Sequence, residues 1–138
     1  VLEKKYRDII DELKISNVTI IEEFISKEKL MYYFKASDLY IMMTKGDTWG
    51  LVINESMSYG LPVITTTACV AGVCLIEEGV NGFLVDPYDF NSAREKIDYI
   101  LANDKLRHSM ACYNIEKVKG YTLENMASTI YSYLEEEK

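Results

Sequence analysis

The chain holds 138 residues, 49% of them hydrophobic, with a formal net charge of −7. That length suits one globular domain, and no apolar run approaches the roughly 20 residues of a membrane-spanning helix. The acidic balance and scattered lysines argue against a nucleic-acid partner, which clustered Lys and Arg would have to hold.

The elements follow in chain order. Leu2, Tyr6, Ile9, Ile10 and Leu13 recur at helical spacing, so the chain enters on an amphipathic helix. The β-branched run Asn17 to Ile21 predicts a short buried strand. Ser26 is placed to cap a helix whose apolar face holds Leu30, Tyr33 and Phe34. Leu39 to Met43 is continuously apolar, as a parallel strand covered on both faces would be. A loop from Thr44 to Gly50 leads into a helix ending at Tyr59, with Gly60 as its stop. Pro62 opens a strand over Val63 to Thr66, and Thr65, Thr66 and Thr67 either end it facing a cleft or serve simply as β-formers. Gly79-Val80-Asn81-Gly82 signals a turn, and Phe83 to Val85 a strand. From Asn91 onward the pattern is helical, and Tyr32, Tyr33, Tyr99 and Tyr131 fall at core spacing. Strands alternating with helices imply a parallel α/β sheet.

Cys69 and Cys74 are too few for a zinc site, and the lone His108 sits in a polar helical stretch. Cys74 and Cys112 are read as reduced core thiols and the compartment as cytosolic. The chain opens on Val1 without an initiator Met or a signal-peptide pattern, so it is read as a piece of a longer polypeptide.

The densest chemistry lies in Gly46-Asp47-Thr48-Trp49-Gly50-Leu51-Val52-Ile53-Asn54-Glu55, where two acids stand eight positions apart around a glycine-bearing loop. A helix start exposes backbone N–H groups, which with the helix dipole favour a phosphate. A carboxylate one turn further on can accept hydrogen bonds from sugar or ribose hydroxyls. The residues therefore read as a site for a nucleotide-activated sugar, while Lys45 reads as a solvated loop lysine.

Several motifs together resemble the donor-binding half of retaining GT-B glycosyltransferases of the family 4 type. They are Ala36-Ser37-Asp38, Asp47, Trp49-Gly50, Glu55-Ser56-Met57, Gly60-Leu61-Pro62-Val63 and Gly79-Val80-Asn81-Gly82-Phe83-Leu84-Val85. The stretch Glu22-Glu23-Phe24-Ile25 and weaker similarity through the C-terminal helices extend the likeness over nearly the whole chain. The resemblance implies a Rossmann-like parallel sheet with flanking helices, the C-terminal half of a GT-B fold, truncated at its N-terminus. Residues 1–138 would then be a single, partial nucleotide-sugar-binding domain.

The same resemblance implies residue roles. Glu55 matches the acid that binds the ribose, and Asp47 the acid that holds the donor sugar. The amides of Trp49, Gly50, Leu51 and Val52 would face sugar and diphosphate, and Phe24 and Ile25 the base. The implied substrate is a nucleotide-diphosphate sugar, with no metal or other cofactor. A carbohydrate or glycolipid acceptor would bind through an N-terminal domain that this chain lacks. The implied place is the cytoplasm, with peripheral contact at the inner membrane surface in the full-length protein.

Two departures stand out: the first acid of the family is most often Glu, here Asp47, and Val73-Cys74 replaces a frequent Pro-Glu. The Arg and Lys that clamp the diphosphate in the family have no counterpart here, so this polypeptide alone is expected to be inactive in transfer. In a sheet ordered 3-2-1-4-5-6 the Val18 strand would be third and the Leu39 strand fourth, leaving open edges. Self-association of the fragment is one expected answer. The rival readings are a GT-B-like nucleotide-sugar epimerase and a non-catalytic nucleotide-binding module.

Overall fold

The computed structural model describes residues 2–136. They divide into two compact units, one up to Leu30 and one from Met31 onward. In the first, helix α1 (Leu2–Glu12) ends where Lys14 enters the left-handed region at φ 53. That bend lets the Ile15 amide reach back to the Ile10 carbonyl at 3.0 Å, a closure that satisfies an end carbonyl. Arg7 and Glu22 form an ion pair. The segment 17–21, expected as a strand, has no regular structure, and Val18 and Ile21 are exposed. Its composition suits a strand, but among the described residues no neighbour supplies the ladder that a strand requires. Helix α2 (Lys27–Ala36) starts as the sequence indicates, with Ser26 Oγ accepting from the Lys29 amide at 3.3 Å.

The second unit is built on a parallel sheet of β1 (Tyr40–Met42), β2 (Val63–Thr66) and β3 (Gly82–Val85), in the order β1-β2-β3. Helices α3 (Leu51–Ser58) and α4 (Val70–Leu75) join the strands, and α5 (Phe90–Leu101), α6 (Asp104–Val118) and α7 (Leu123–Glu136) follow. Every residue of the central strand β2 is buried. Val63 and Ile64 are adjacent but join different cores, as strand alternation requires. Val63 packs with Ile53, Met57, Ala71 and Leu75 from α3 and α4, and Ile64 with Ala93, Ile100 and Met110 from α5 and α6. Gly82 sits so close to β2 that an added Cβ would lie 2.1 Å from the Val63 carbonyl oxygen, so only glycine keeps this pairing.

Several side chains face otherwise than expected. Cys74 and Cys112 are exposed, and the buried thiol is Cys69. On α4 the inward residues are Ala71, Gly72 and Leu75, and on α6 they are Met110 and Asn114, so each exposed cysteine lies off the inner stripe of its helix. Tyr32, Tyr33, Tyr99 and Tyr131 are exposed too, which a ring with a polar tip tolerates.

A buried amide pair locks the turn before β3. Asn81 accepts from the Glu77 amide at 2.7 Å and donates to the Leu75 carbonyl at 3.0 Å. Asn114 on α6 donates to the carbonyls of Leu61, at 2.7 Å, and Asn81, at 3.1 Å. Replacing Asn114 by Leu would leave two buried carbonyls without that donor. The expected cost is about 1–3 kcal/mol, read from the urea midpoint; an unchanged midpoint would show that the amide contributes nothing net.

Candidate functional site

The acid-bearing loop is tied to the chain that follows β2. Thr65 Oγ1 donates to the Met42 carbonyl at 3.0 Å and Thr66 Oγ1 to the Thr44 carbonyl at 2.7 Å. These buried hydroxyls therefore serve the neighbouring strand rather than a cleft, and only Thr67 is exposed. Beyond the strand ends the Asp47 amide donates to Ala68 at 3.1 Å, Val70 to Asp47 at 3.4 Å and Ala71 to Trp49 at 2.7 Å. Cys69 Sγ lies 3.4 Å from the same Trp49 carbonyl. The loop is thus a pairing that outlasts the strands.

Gly50 completes the shape. It precedes α3 at φ 92, and a Cβ there would stand 2.7 Å from Cys69 Sγ. The Ile53 amide bonds the Gly50 carbonyl at 2.9 Å. Among the described residues, the amides of Gly50, Leu51 and Val52 find no acceptor within the chain. The Trp49 amide, grouped with those three from the sequence, is already committed: it donates to Asp47 Oδ1 at 3.0 Å. Asp47 is half-buried by this turn, whereas Glu55 on the next helical turn is exposed with no ion pair or side-chain hydrogen bond among the described residues. The Trp49 indole N–H donates to Asn54 Oδ1 at 3.0 Å, fixing the ring across the first turn of α3. Phe24, fully exposed, and Ile25, half-buried, lie in the first unit.

Two neighbours of the loop had no sequence signal. Lys45 Nζ stands 5.1 Å from the centre of the Tyr88 ring, which arrives on the segment after β3. Sequence spacing could not pair them; the parallel topology does, by bringing strand ends to one edge. Tyr40 is the other. Burial chiefly, then the acidic groups of Cys69, Glu55 and Asp47, push its phenol up to about 12. An open hollow of about 520 Å³ lies between Trp49, Leu51 and Asn54 on one side and α7 residues such as Met126 and Ile130 on the other. Among the described residues no three His, Cys, Asp or Glu side chains gather as a metal site, and no helix is long and apolar enough to cross a membrane.

A parallel sheet with an acid, a glycine-led helix start and a second acid is a pattern that can be compared directly with known proteins. The family model described as "Glycosyl transferases group 1" matches residues 2–117. This chain belongs to that family. Among its relatives, the D-inositol 3-phosphate glycosyltransferase of Corynebacterium urealyticum is 28% identical over 128 residues, covering 92% of this chain and 30% of that protein. The sulfoquinovosyl transferase SQD2 of Arabidopsis thaliana is 26% identical over 120 residues, covering 84% of this chain and 23% of that protein. The group 1 chain thus spans less than a third of these relatives.

Solved structures agree on the fold. The C-terminal domain of a group 1 glycosyl transferase from Francisella tularensis superposes with a TM-score of 0.78 at 23% identity, covering 88% of this chain and 63% of that one. Anabaena HepE, solved in complex with UDP-glucose, gives 0.76 at 23% identity over 94% of this chain and 36% of that one. The architecture is that of the C-terminal half of a GT-B glycosyltransferase, as the motifs implied.

Two outcomes test the loop. Gly50→Ala must hold a left-handed φ and displace Cys69 Sγ, so it should destabilise by about 1–3 kcal/mol in urea denaturation. Adding Cys69→Ala should recover part of that loss, and strict additivity would deny the contact. For Tyr40, the folded-state value lies above the unfolded value of about 10. Its contribution is full below pH about 10 and is lost as pH rises toward 12. Stability measured across that window should fall less steeply in Tyr40→Phe than in the native protein.

Proposed function

We propose that this chain is the nucleotide-sugar-binding part of a retaining glycosyltransferase that moves a hexose-type sugar to a glycan or glycolipid acceptor. The observation that carries the reading is the run of three unpartnered amides, Gly50, Leu51 and Val52, between a half-buried Asp47 and an exposed, unpaired Glu55. Fixed amides at a helix start suit a diphosphate leaving group, because they stabilise developing charge without reorganising. Glu55 accepts from the ribose hydroxyls. Asp47 Oδ1 holds the Trp49 amide, which leaves Oδ2 to the donor sugar. No metal takes part. Relatives solved with UDP-glucose, UDP, or UDP and GlcNAc support a UDP-type donor for this chain.

On this reading the acceptor is bound by parts of the protein outside this chain, which by itself does not catalyse transfer. The work is cytoplasmic, with membrane contact peripheral. Because β1 is hydrogen-bonded along the β2 side only, among the described strands, the isolated chain would self-associate along the free edge.

Binding of UDP, GDP and ADP and their sugars to the whole protein, followed calorimetrically, tests the reading. One nucleotide should saturate, and Glu55→Ala should weaken the bare nucleotide about tenfold, the loss of one charge-assisted hydrogen bond. Asp47→Asn keeps an acceptor for the Trp49 amide while removing the charge, so it should chiefly blur discrimination between sugars. Absence of saturable binding to every nucleotide would falsify the donor site.

A further inference from the structure

Outside the acid-bearing loop, one pair of ligand-type side chains comes together on the surface. His108 and Cys112 lie four residues apart on α6, on the face turned away from the buried Met110 and Asn114. Residues at this spacing stack over one another on a helix. Here His108 Nε2 and Cys112 Sγ are 3.7 Å apart, and both side chains are exposed.

That separation has a chemical meaning. Zinc binds sulfur at about 2.3 Å and imidazole nitrogen at about 2.0–2.1 Å. A tetrahedral angle between those bonds sets sulfur and nitrogen about 3.6 Å apart. The pair, now in hydrogen-bond contact, therefore stands close to the donor spacing of a tetrahedral chelate. A helix keeps both side chains on one row, so little further ordering is needed on binding.

We propose that His108 and Cys112 form a bidentate surface site for a borderline-soft divalent cation of the zinc class. Nitrogen and sulfur together select such ions over magnesium and calcium, which prefer oxygen. The metal–sulfur bond forms as the thiol proton leaves to solvent, and the imidazole Nε2 gives its lone pair while Nδ1 keeps its hydrogen. Among the described residues no third ligand gathers at the pair, so water completes the coordination. Asp104 and Glu116 extend the same row by four residues on either side, and each is held in an ion pair, with Arg107 and Lys119 respectively. They remain salt-bridge partners rather than ligands. The site uses none of the donor-loop residues, and its failure would leave the donor reading untouched.

Cobalt(II) is the probe, because thiolate ligation gives it a near-ultraviolet charge-transfer band. Titrating the protein under a non-thiol reductant should raise that band, and zinc should abolish it. Cys112→Ser should remove the band, and His108→Ala should weaken cobalt about tenfold or more, with circular dichroism checking that α6 is intact. Cys74→Ser, which removes the other exposed thiol, should leave the titration unchanged. A band that survives in Cys112→Ser, or equal affinity in His108→Ala and the native protein, would overturn the site.

Discussion

Everything at the carboxyl edge of this sheet depends on a zipper between two loops. The last ladder pairs join β1 to β2, and the pairing then continues through Asp47, Trp49 and the backbone of residues 68–71. A loop without that support would pay its conformational entropy at each substrate encounter. Tied at Asp47 and Trp49, it presents its acid and its free amides already in place. The threonines of β2 add side-chain ties to Met42 and Thr44, so the buried central strand serves as core and scaffold at once.

The zipper explains the small residues around it. Gly50 and Cys69 meet where any larger pair would push the loops apart, and Gly72 is similarly close to Thr65. It also explains why Asp47 is half-buried while Glu55 is exposed. The first acid is tied into the loop through the Trp49 amide, and the side chain of the second, one helical turn on, has no partner among the described residues. Two acids that look equivalent in sequence therefore differ in what their removal costs: loss of Asp47 loosens the frame, and loss of Glu55 leaves it standing.

Local signals made much of this legible. Gly60 and Pro62 lead into β2, Gly82 starts β3, and Gly50 sits before α3, each because backbone geometry there admits few residues. Helix α4 escaped because it is short, holds Gly72 and two β-branched valines, and has no side-chain cap. The 17–21 segment misled because strand propensity is a statement about fitting a pleated, half-buried surface, and among the described residues no strand pairs with it. In the site, the acids and the glycine were visible from spacing. Commitment of the Trp49 amide to Asp47 and the approach of Tyr88 to Lys45 were not, because both arise only when the chain folds back. The cysteines were misplaced by treating Cys as simply apolar; the buried stripe Met110–Asn114 already puts Cys112 on the outer side of α6.

The central claim is that a diphosphate rests on the Gly50, Leu51 and Val52 amides of a preformed loop. The most direct measurement is the amide chemical shifts of the isotope-labelled whole protein as its nucleoside diphosphate is added. Gly50, Leu51 and Val52 should move together to a saturable limit, while Asp47 and Ala71, held inside the zipper, should move little. Saturable binding that leaves those three amides where they were would contradict it.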